Sequence, residues 1–456
     1  MAGATTWGHV TRSRALRGCL AMTAGLLGAA CGATTAGDSG GQGAANGPGG
    51  PVELEYWHTN AEPTPLEQGR IAALKAAEAA NPQLFRIKTA EPGGASLTKV
   101  VAAAAAGTPP NLKIDYPYNA AQLWIKGALI DYDQQLKGHA GWRRLAPAVP
   151  TTFQDGVRWL GHTVGLPVVI GQQAMMYAPD KLERAGLKPP AASWTWADFE
   201  DLSKRAARPP DVWGLSVGWR SSTWQLFSGS NGARWINKEQ TRVSLTQPES
   251  MAGVEFLNRY TFGLKLMPLE NNQKTAGEML VTGRTVFEPQ QPGRLPDLRK
   301  AGITRLEAQL WPRGPQKPTA YNWGTMWATF VFKSADAQKE RAALQAAVDV
   351  LREDAQMAHA VTDLSLPVSK SAKDSAAFQK FLAGDPLLKQ FIDMFPSCDV
   401  WPAVPSGGDM RNILDATMAD LYTQQGAMKD AFANAERELQ RIHDEYVAQT
   451  NAQARR

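Results

Sequence analysis

Apolar and polar positions alternate along Val52-Glu53-Leu54-Glu55-Tyr56-Trp57, the pattern of a half-buried strand, and the alternation stops at His58-Thr59-Asn60. Leu66 to Asn81 is Ala-rich, with Ile71, Leu74 and Ala77 at helical spacing, and Asn81-Pro82 ends it. The strand pattern returns over Phe85–Thr89 and Leu112–Tyr116, separated by a helix over Leu97–Ala106 that Gly107-Thr108-Pro109-Pro110 stops. Strands alternating with helices predict an α/β fold with a largely parallel sheet. After Gly165-Leu166-Pro167 the pattern restarts. It predicts a strand over Val168–Tyr177, a short helix over Pro179–Ala185, and a helix opened by Trp194–Glu200 with Thr195 or Ser193 as N-cap. Further helices are predicted over 248–262, 276–283, 342–352, 376–382 and 410–449, and a strand over 285–288. There is no internal repeat and no block of like charge.

The first fifty residues read differently. Arg12 to Arg17 is basic, and Gly18 to Ala30 is apolar but shorter than the about 20 residues that span a bilayer. Together they read as a signal peptide over 1–30. Small residues Gly28-Ala29-Ala30 precede Cys31, as in a bacterial lipobox, although Leu27 stands one place further from the cysteine than usual. Ordinary cleavage beside an incidental cysteine is the alternative. Gly32 to Pro51 holds eight glycines in twenty residues and one charge, so it cannot bury a core and is expected to be a flexible tether. A signal, a cysteine and a tether predict a chain held to the membrane by lipid on Cys31. Cys19 would leave with the signal and Cys398 would then have no partner, so no disulfide is expected in the mature chain.

Composition narrows the classes. With 456 residues, 43% of them hydrophobic, the chain can form two or three cored units and is not disordered throughout. The net charge of +5 includes Arg12, Arg14 and Arg17; without residues 1–30 it falls to 45 basic against 43 acidic residues, which argues for no nucleic-acid partner. The six histidines form no metal-ligand pair, and no phosphate-binding glycine motif is present, so neither metal nor cofactor is expected. Ser96-Leu97-Thr98-Lys99 fits SxxK without its partner motifs, and Gly37-Asp38-Ser39-Gly40-Gly41 resembles a serine-protease string but lies in the tether. No strong catalytic signal exists; a secreted glycosidase using a pair of carboxylates is the alternative reading. What stands out is aromatic content in three expected loops, at 116–119, 219–225 and 321–324, mixed with amide, hydroxyl and guanidinium groups. Aromatic faces with such donors and acceptors suit a sugar ring, which has apolar C–H faces and a hydroxyl rim.

Several segments in order then resemble one family. Leu54–His58, Val101–Pro110 (with Asn111 where Asp is usual), Gly127–Asp133, Gly165–Pro167, Met176–Leu182 (with Ala178 where Asn is common), Ala185–Leu187, Pro189-Pro190 and Trp194–Phe199 resemble the solute-binding proteins of ABC transporters, of the carbohydrate type that includes the maltose-binding protein. Gly283–Val286 and Leu366–Ser371 continue the resemblance. It implies a two-lobe periplasmic-binding-protein-like fold of type II with a hinge and an interlobe cleft. Lobe one would be 52–170 plus 325–365, and lobe two 171–324 plus 366–456. It further implies a monomer that catalyses nothing, captures a small-molecule ligand, a sugar, and delivers it to permease subunits. By the same resemblance His58, Asn60 and Glu62, and Tyr116, Tyr118 and Asn119, would line the cleft from lobe one. Gln172 and Gln173 would lie at a crossing; Trp219, Arg220, Trp224, Gln225, Glu288, Gln290, Tyr321, Trp323, Trp401 and Arg411 would complete the site. Trp224 could equally pack a core, leaving Trp219 or Trp323 to stack. Arg220, Arg294 and Arg411 would suit an anionic polyol such as a glycerol phosphodiester better than a neutral sugar.

Overall fold

The computed structural model describes residues 50–456 except 59–62, 93–95, 270–277, 318–320, 425–426 and 456. The expected signal, Cys31 and all but the end of the tether therefore lie outside the described residues, as do Asn60 and Glu62.

The chain opens with strand β1 (Val52–Trp57), helix α1 (Pro65–Ala80) and strand β2 (Phe85–Ala90). Thr64 caps α1 by accepting from the Glu67 amide, and Pro65 stands at its first position, where no backbone donor is lost. Helix α2 (Leu97–Ala105) starts at Ser96, whose hydroxyl accepts from the Lys99 amide at 3.4 Å, so the SxxK string is a helix cap. Then follow β3 (Leu112–Asp115), α3 (Pro117–Ile125) and the long strand β4 (Leu166–Tyr177). Helix α4 (Trp196–Ala206) carries a capping box between Thr195 and Asp198. Next come β5 (Trp213–Leu215), the one-turn helix α5 (Ser221–Trp224), α6 (Pro248–Asn258), β6 (Thr285–Gln290), β7 (Glu307–Gln309) and β8 (Asn322–Val331). Helices α7 (Ala337–Asp349) and α8 (Glu353–Asp363), strands β9 (Leu366–Pro367) and β10 (Cys398–Val400), and helices α9 (Gly407–Gln424) and α10 (Met428–Gln453) complete the part used below.

The strands join in the order β2-β1-β3-β8-β4-β6-β5, with β7 and β9 also on β4 and β10 on β8. The expected α/β class holds, but the sheet is mixed. β1, β2 and β3 are mutually parallel, whereas β4 runs antiparallel to β8, β6, β7 and β9, because β4 and β8 carry the chain in opposite directions through its middle. The first part of β4 pairs with β8 up to Gln173↔Trp323; its last four residues pair with β6 and β7. One strand thus serves two groups of strands. Buried apolar side chains form two clusters: Leu54, Tyr56, Leu74, Phe85, Trp327 and Val348 in one; Trp194, Phe199, Trp224, Phe227, Tyr260 and Phe287 in the other, which also extends across to Leu123, Ile170 and Phe330.

Four local expectations are corrected. Residues 278–283 form turns, not a helix; the helix from Pro248 ends at Asn258 and continues as a wider π-type turn over Arg259–Gly263; and 410–449 is two helices rather than one. The aromatic segments 116–119, 219–225 and 321–324 are not loops. They open α3, form α5, and open β8, respectively.

Candidate ligand-binding cleft

Strand β3 ends at Asp115, whose carboxylate accepts from the Tyr116 amide at 2.8 Å, and Pro117 turns the chain at once into α3. That tight exit sets the Tyr116 and Tyr118 rings face to face, 5.0 Å apart and 9° from parallel. Tyr118 accepts at its hydroxyl from Arg411 Nη1 at 3.0 Å, and the Arg411 guanidinium lies over the Tyr116 ring at 5.5 Å. Arg411 is on α9, whose first residue can be only glycine without a shift: a Cβ on Gly407 would stand 3.1 Å from Tyr118 Cβ.

A second aromatic pair, Trp323 at the start of β8 and Trp401 just after β10, has its rings 5.2 Å apart at 47°. Trp401 donates through Nε1 to Gln225 Oε1 at 3.2 Å, and Gln225 Nε2 donates to the Tyr321 hydroxyl. Between the pairs lies the centre of the sheet. Among the residues of β4 and β8 only Gln173 and Thr325 are half-buried rather than buried, and both border the same cavity. Gly324 between them admits the close approach of β10; a Cβ there would meet Cys398 Sγ at 2.7 Å.

Tyr116, Tyr118, Gln173, Arg220, Ser221, Ser222, Trp323, Thr325, Trp401, Arg411 and Asp415 line this cavity of about 190 Å³. Asp415 accepts from the Ser221 amide at 2.7 Å and so ties α9 to the start of α5. The Arg220 pKa is pushed down, chiefly by burial and secondarily by Arg411, with Asp415 opposing. The Tyr118 hydroxyl is pushed up, chiefly by burial. Two guanidinium groups against one carboxylate leave the wall with an excess of positive charge. Arg220 Nε and Trp323 Nε1 are buried with no hydrogen-bond partner among the described residues. A second cavity of about 410 Å³ shares Trp401 and is bordered by Gln225, Arg234, Trp235, Asn237 and Asp399.

Of the residues expected in the site, the structure gathers Tyr116, Tyr118, Gln173, Arg220, Trp323, Trp401 and Arg411 around the first cavity. Gln225 stands behind Trp401, and Tyr321 is buried behind Gln225. The others lie elsewhere. Trp224 is buried and donates to Ser250 Oγ at 2.8 Å, and Trp219 is buried against Thr261, Phe262 and Tyr422. Gln172 is fully buried on the opposite face of β4 from Gln173, as strand alternation requires. His58 is buried at the end of β1, with its amide donating to Ala90, and Asn119 sits on α3 outside the wall. Glu288 is buried on β6, accepts from the Leu280 amide and from Gln290, and is pushed up to about 7, chiefly by burial. Sequence reasoning passed over Asp415 and Thr325. Asp415 follows Arg411 by one helical turn on α9, a spacing that could have flagged it. Thr325 was hidden by reading a strand start as a loop.

No group of metal-ligating side chains is found among the described residues, and no helix among them is long and apolar enough to cross a membrane. A strand shared by two groups of strands, with a cavity at its middle, is the arrangement of the two-lobe fold of periplasmic binding proteins. Residues 72–384 match the model of the bacterial extracellular solute-binding proteins, and the chain belongs to that family. Among solved structures it resembles an ABC substrate-binding protein from Listeria monocytogenes in complex with cycloalternan, at TM-score 0.70 and 18% identity over 86% of this chain and 99% of that one. It also resembles the cyclic alpha-maltosyl-1,6-maltose binding protein of Arthrobacter globiformis, at TM-score 0.72 and 16% identity over 87% and 100%. UgpB of Mycobacterium tuberculosis in complex with glycerophosphocholine matches at TM-score 0.69 and 19% identity over 88% and 100%. No curated protein matches the chain by sequence.

Proposed function

We propose that this solute-binding protein captures a carbohydrate between Tyr116, Tyr118, Trp323 and Trp401 and delivers it, unchanged, to the permease of an ABC importer. The observation that carries the reading is the set of two aromatic pairs and hydrogen-bonding side chains around one cavity. Aromatic faces cover the apolar faces of a sugar ring, and Gln173, Ser222, Thr325, Arg220, Arg411 and Asp415 supply donors and acceptors for its rim. The first cavity is smaller than the about 300–1,000 Å³ of sites that enclose a whole ligand. The adjoining cavity across Trp401 brings the space into that range and favours a ligand longer than one ring. The proposed lobes are 52–170 plus 325–365 and 171–324 plus 366–456, with the chain crossing between them near 168–172, 321–325 and 364–367. Closure of the lobes would bury the ligand and link binding to hinge motion. In this reading the protein acts as a monomer, outside the cytoplasm, held by lipid on Cys31.

A second reading is favoured by the excess positive charge of the wall and the unpartnered Arg220 Nε: an anionic polyol such as a glycerol phosphodiester. Thermal-shift screening of mono-, di- and oligosaccharides and glycerophosphodiesters separates the two, since a ligand that binds only the native state raises the midpoint. A raised midpoint with oligosaccharides alone supports the first reading, and with phosphodiesters alone the second. A new reducing end in the recovered ligand would contradict both. The anchor is tested by Cys31→Ser, which should release the protein from membranes; retention with the membrane fraction after processing would sink it.

A further inference from the structure

Behind the tyrosine wall lies a buried ion pair that touches no part of the cavity. Glu67, on the first turn of α1, accepts from the Tyr56 hydroxyl and from Arg70 Nη1, the latter at 3.0 Å. Both charged side chains are less than a tenth exposed. Burying such a pair is costly, and the attraction often does no more than offset that cost. Arg70 is also incompletely bonded, because its Nε has no partner among the described residues. Instead its guanidinium carbon lies 5.2 Å from the centroid of the Trp327 indole. Trp327 stacks on Tyr116 at 6.1 Å and 29°, and Tyr116 stacks on Tyr118. The indole has little room to move, since a Cβ on Gly171 would stand 3.0 Å from its Cη2 and Cζ3. Cation, indole and two phenols thus form one column, and only its far end borders the cavity.

We propose that Arg70 is a positioning residue for solute recognition, its charge fixing the Trp327–Tyr116–Tyr118 column that forms the lobe-one wall. A cation over an aromatic face is attracted more strongly where water is excluded, as it is here. The attraction sets the tilt of the indole, and the indole sets the phenol that meets the ligand. This rests on reading the cavity as the solute site. The alternative is that the ion pair merely fastens α1 to β1.

The test uses the full chain, with maltotriose and glycerophosphocholine as the titrated probes. Arg70→Met is combined with Glu67→Gln so that no buried charge is left alone. For whichever probe the unaltered protein binds, the paired substitution should raise Kd about tenfold, the size expected of a residue that acts without touching ligand. Arg70→Lys, which keeps a cation, should recover most of that loss. In a Tyr116→Leu background the paired substitution should cost nothing further. Tyr56→Phe, which loosens the same ion pair without removing the cation, should lower the unfolding midpoint and leave Kd unchanged. A Kd unmoved by the paired substitution, or a loss that persists without Tyr116, overturns the proposal. If the unaltered protein binds neither probe, the cavity reading is what fails, and urea unfolding decides the positioning claim. Non-additive effects of the paired substitution and Tyr116→Leu uphold the column, and additive ones overturn it.

Discussion

Tyr116-Pro117-Tyr118 and Trp219–Trp224 look alike in sequence, aromatics beside hydroxyl, amide or guanidinium groups, yet they meet opposite surroundings. The tyrosines leave a strand end and turn immediately into a helix, so both rings stay at the sheet's centre and Tyr118 is met by Arg411. The 219–224 segment closes into a single turn followed by a π-type turn, and its two indoles point into a core. There they donate to Thr261 and Ser250 hydroxyls. From that segment Arg220, Ser221 and Ser222 reach the cavity, and neither indole does. The lesson lies in the polar handle. A tryptophan whose N–H is satisfied by a serine or threonine inside a core is packing; Trp401, half-buried and bonded to a glutamine behind it, is a wall.

The contrast is open to measurement, beginning with the largest effect. Trp224→Ala should cost about 3–5 kcal/mol of folding stability, as loss of a buried large aromatic does, with ligand affinity retained by the folded fraction. Urea unfolding paired with titration reads both, and a stability change near zero would place Trp224 with the wall instead. Glu288 belongs with the core group. Its folded pKa of about 7 lies above its usual 4.5, so between those values the native state holds a proton that the unfolded state has lost. Its contribution should therefore be full below about pH 4.5, fall as pH rises, and be lost above about 7. At 1.36 kcal/mol per unit the fall is on the order of 3 kcal/mol. Glu288→Gln should flatten the stability profile over that window relative to the unaltered chain; parallel profiles would mean that the carboxyl is solvated.

Wall residues should behave the other way. Trp401→Ala should weaken ligand binding by about 1–3 kcal/mol, by analogy with base–aromatic stacking, while the unfolding midpoint moves little. A large midpoint loss with Kd intact would return Trp401 to packing. The smallest effect sharpens the choice of ligand. Arg220→Gln should cost roughly 1.5 kcal/mol of affinity for a phosphodiester, the low end for a hydrogen bond to a charged group, and less for a neutral oligosaccharide. Equal losses for both probes would mean that Arg220 serves no anion.

Much of this is legible in the sequence. Alternation and helical spacing place β1, α1, β2, α2 and β3 within a residue or two, because each is a local pattern terminated by Pro, Gly or Asn. The apolar runs of β4 on either side of Gln172-Gln173 mark a strand buried on both faces, with Gln173 its one half-buried position. What was not legible depends on distant contacts. The sheet's mixed direction follows from β8, whose Asn322–Gly324 start reads as a loop until it pairs with Gln172 and Gln173. Whether an indole faces a core or a cleft depends on Ser250 or Gln225, which stand 26 residues after Trp224 and 176 before Trp401. Asp415 matters only because α9 is packed beside α5.

Solute is expected to bind in the cavity between the tyrosine and tryptophan pairs. Isothermal titration of maltotriose and of glycerophosphocholine into the unaltered protein and into Tyr116→Ala/Trp401→Ala tests it most directly, with each protein's unfolding midpoint recorded alongside. The expected result is saturable binding of one of the probes by the unaltered protein and its loss from the double variant, with the midpoint nearly unchanged. Equal affinity in the two proteins would contradict it.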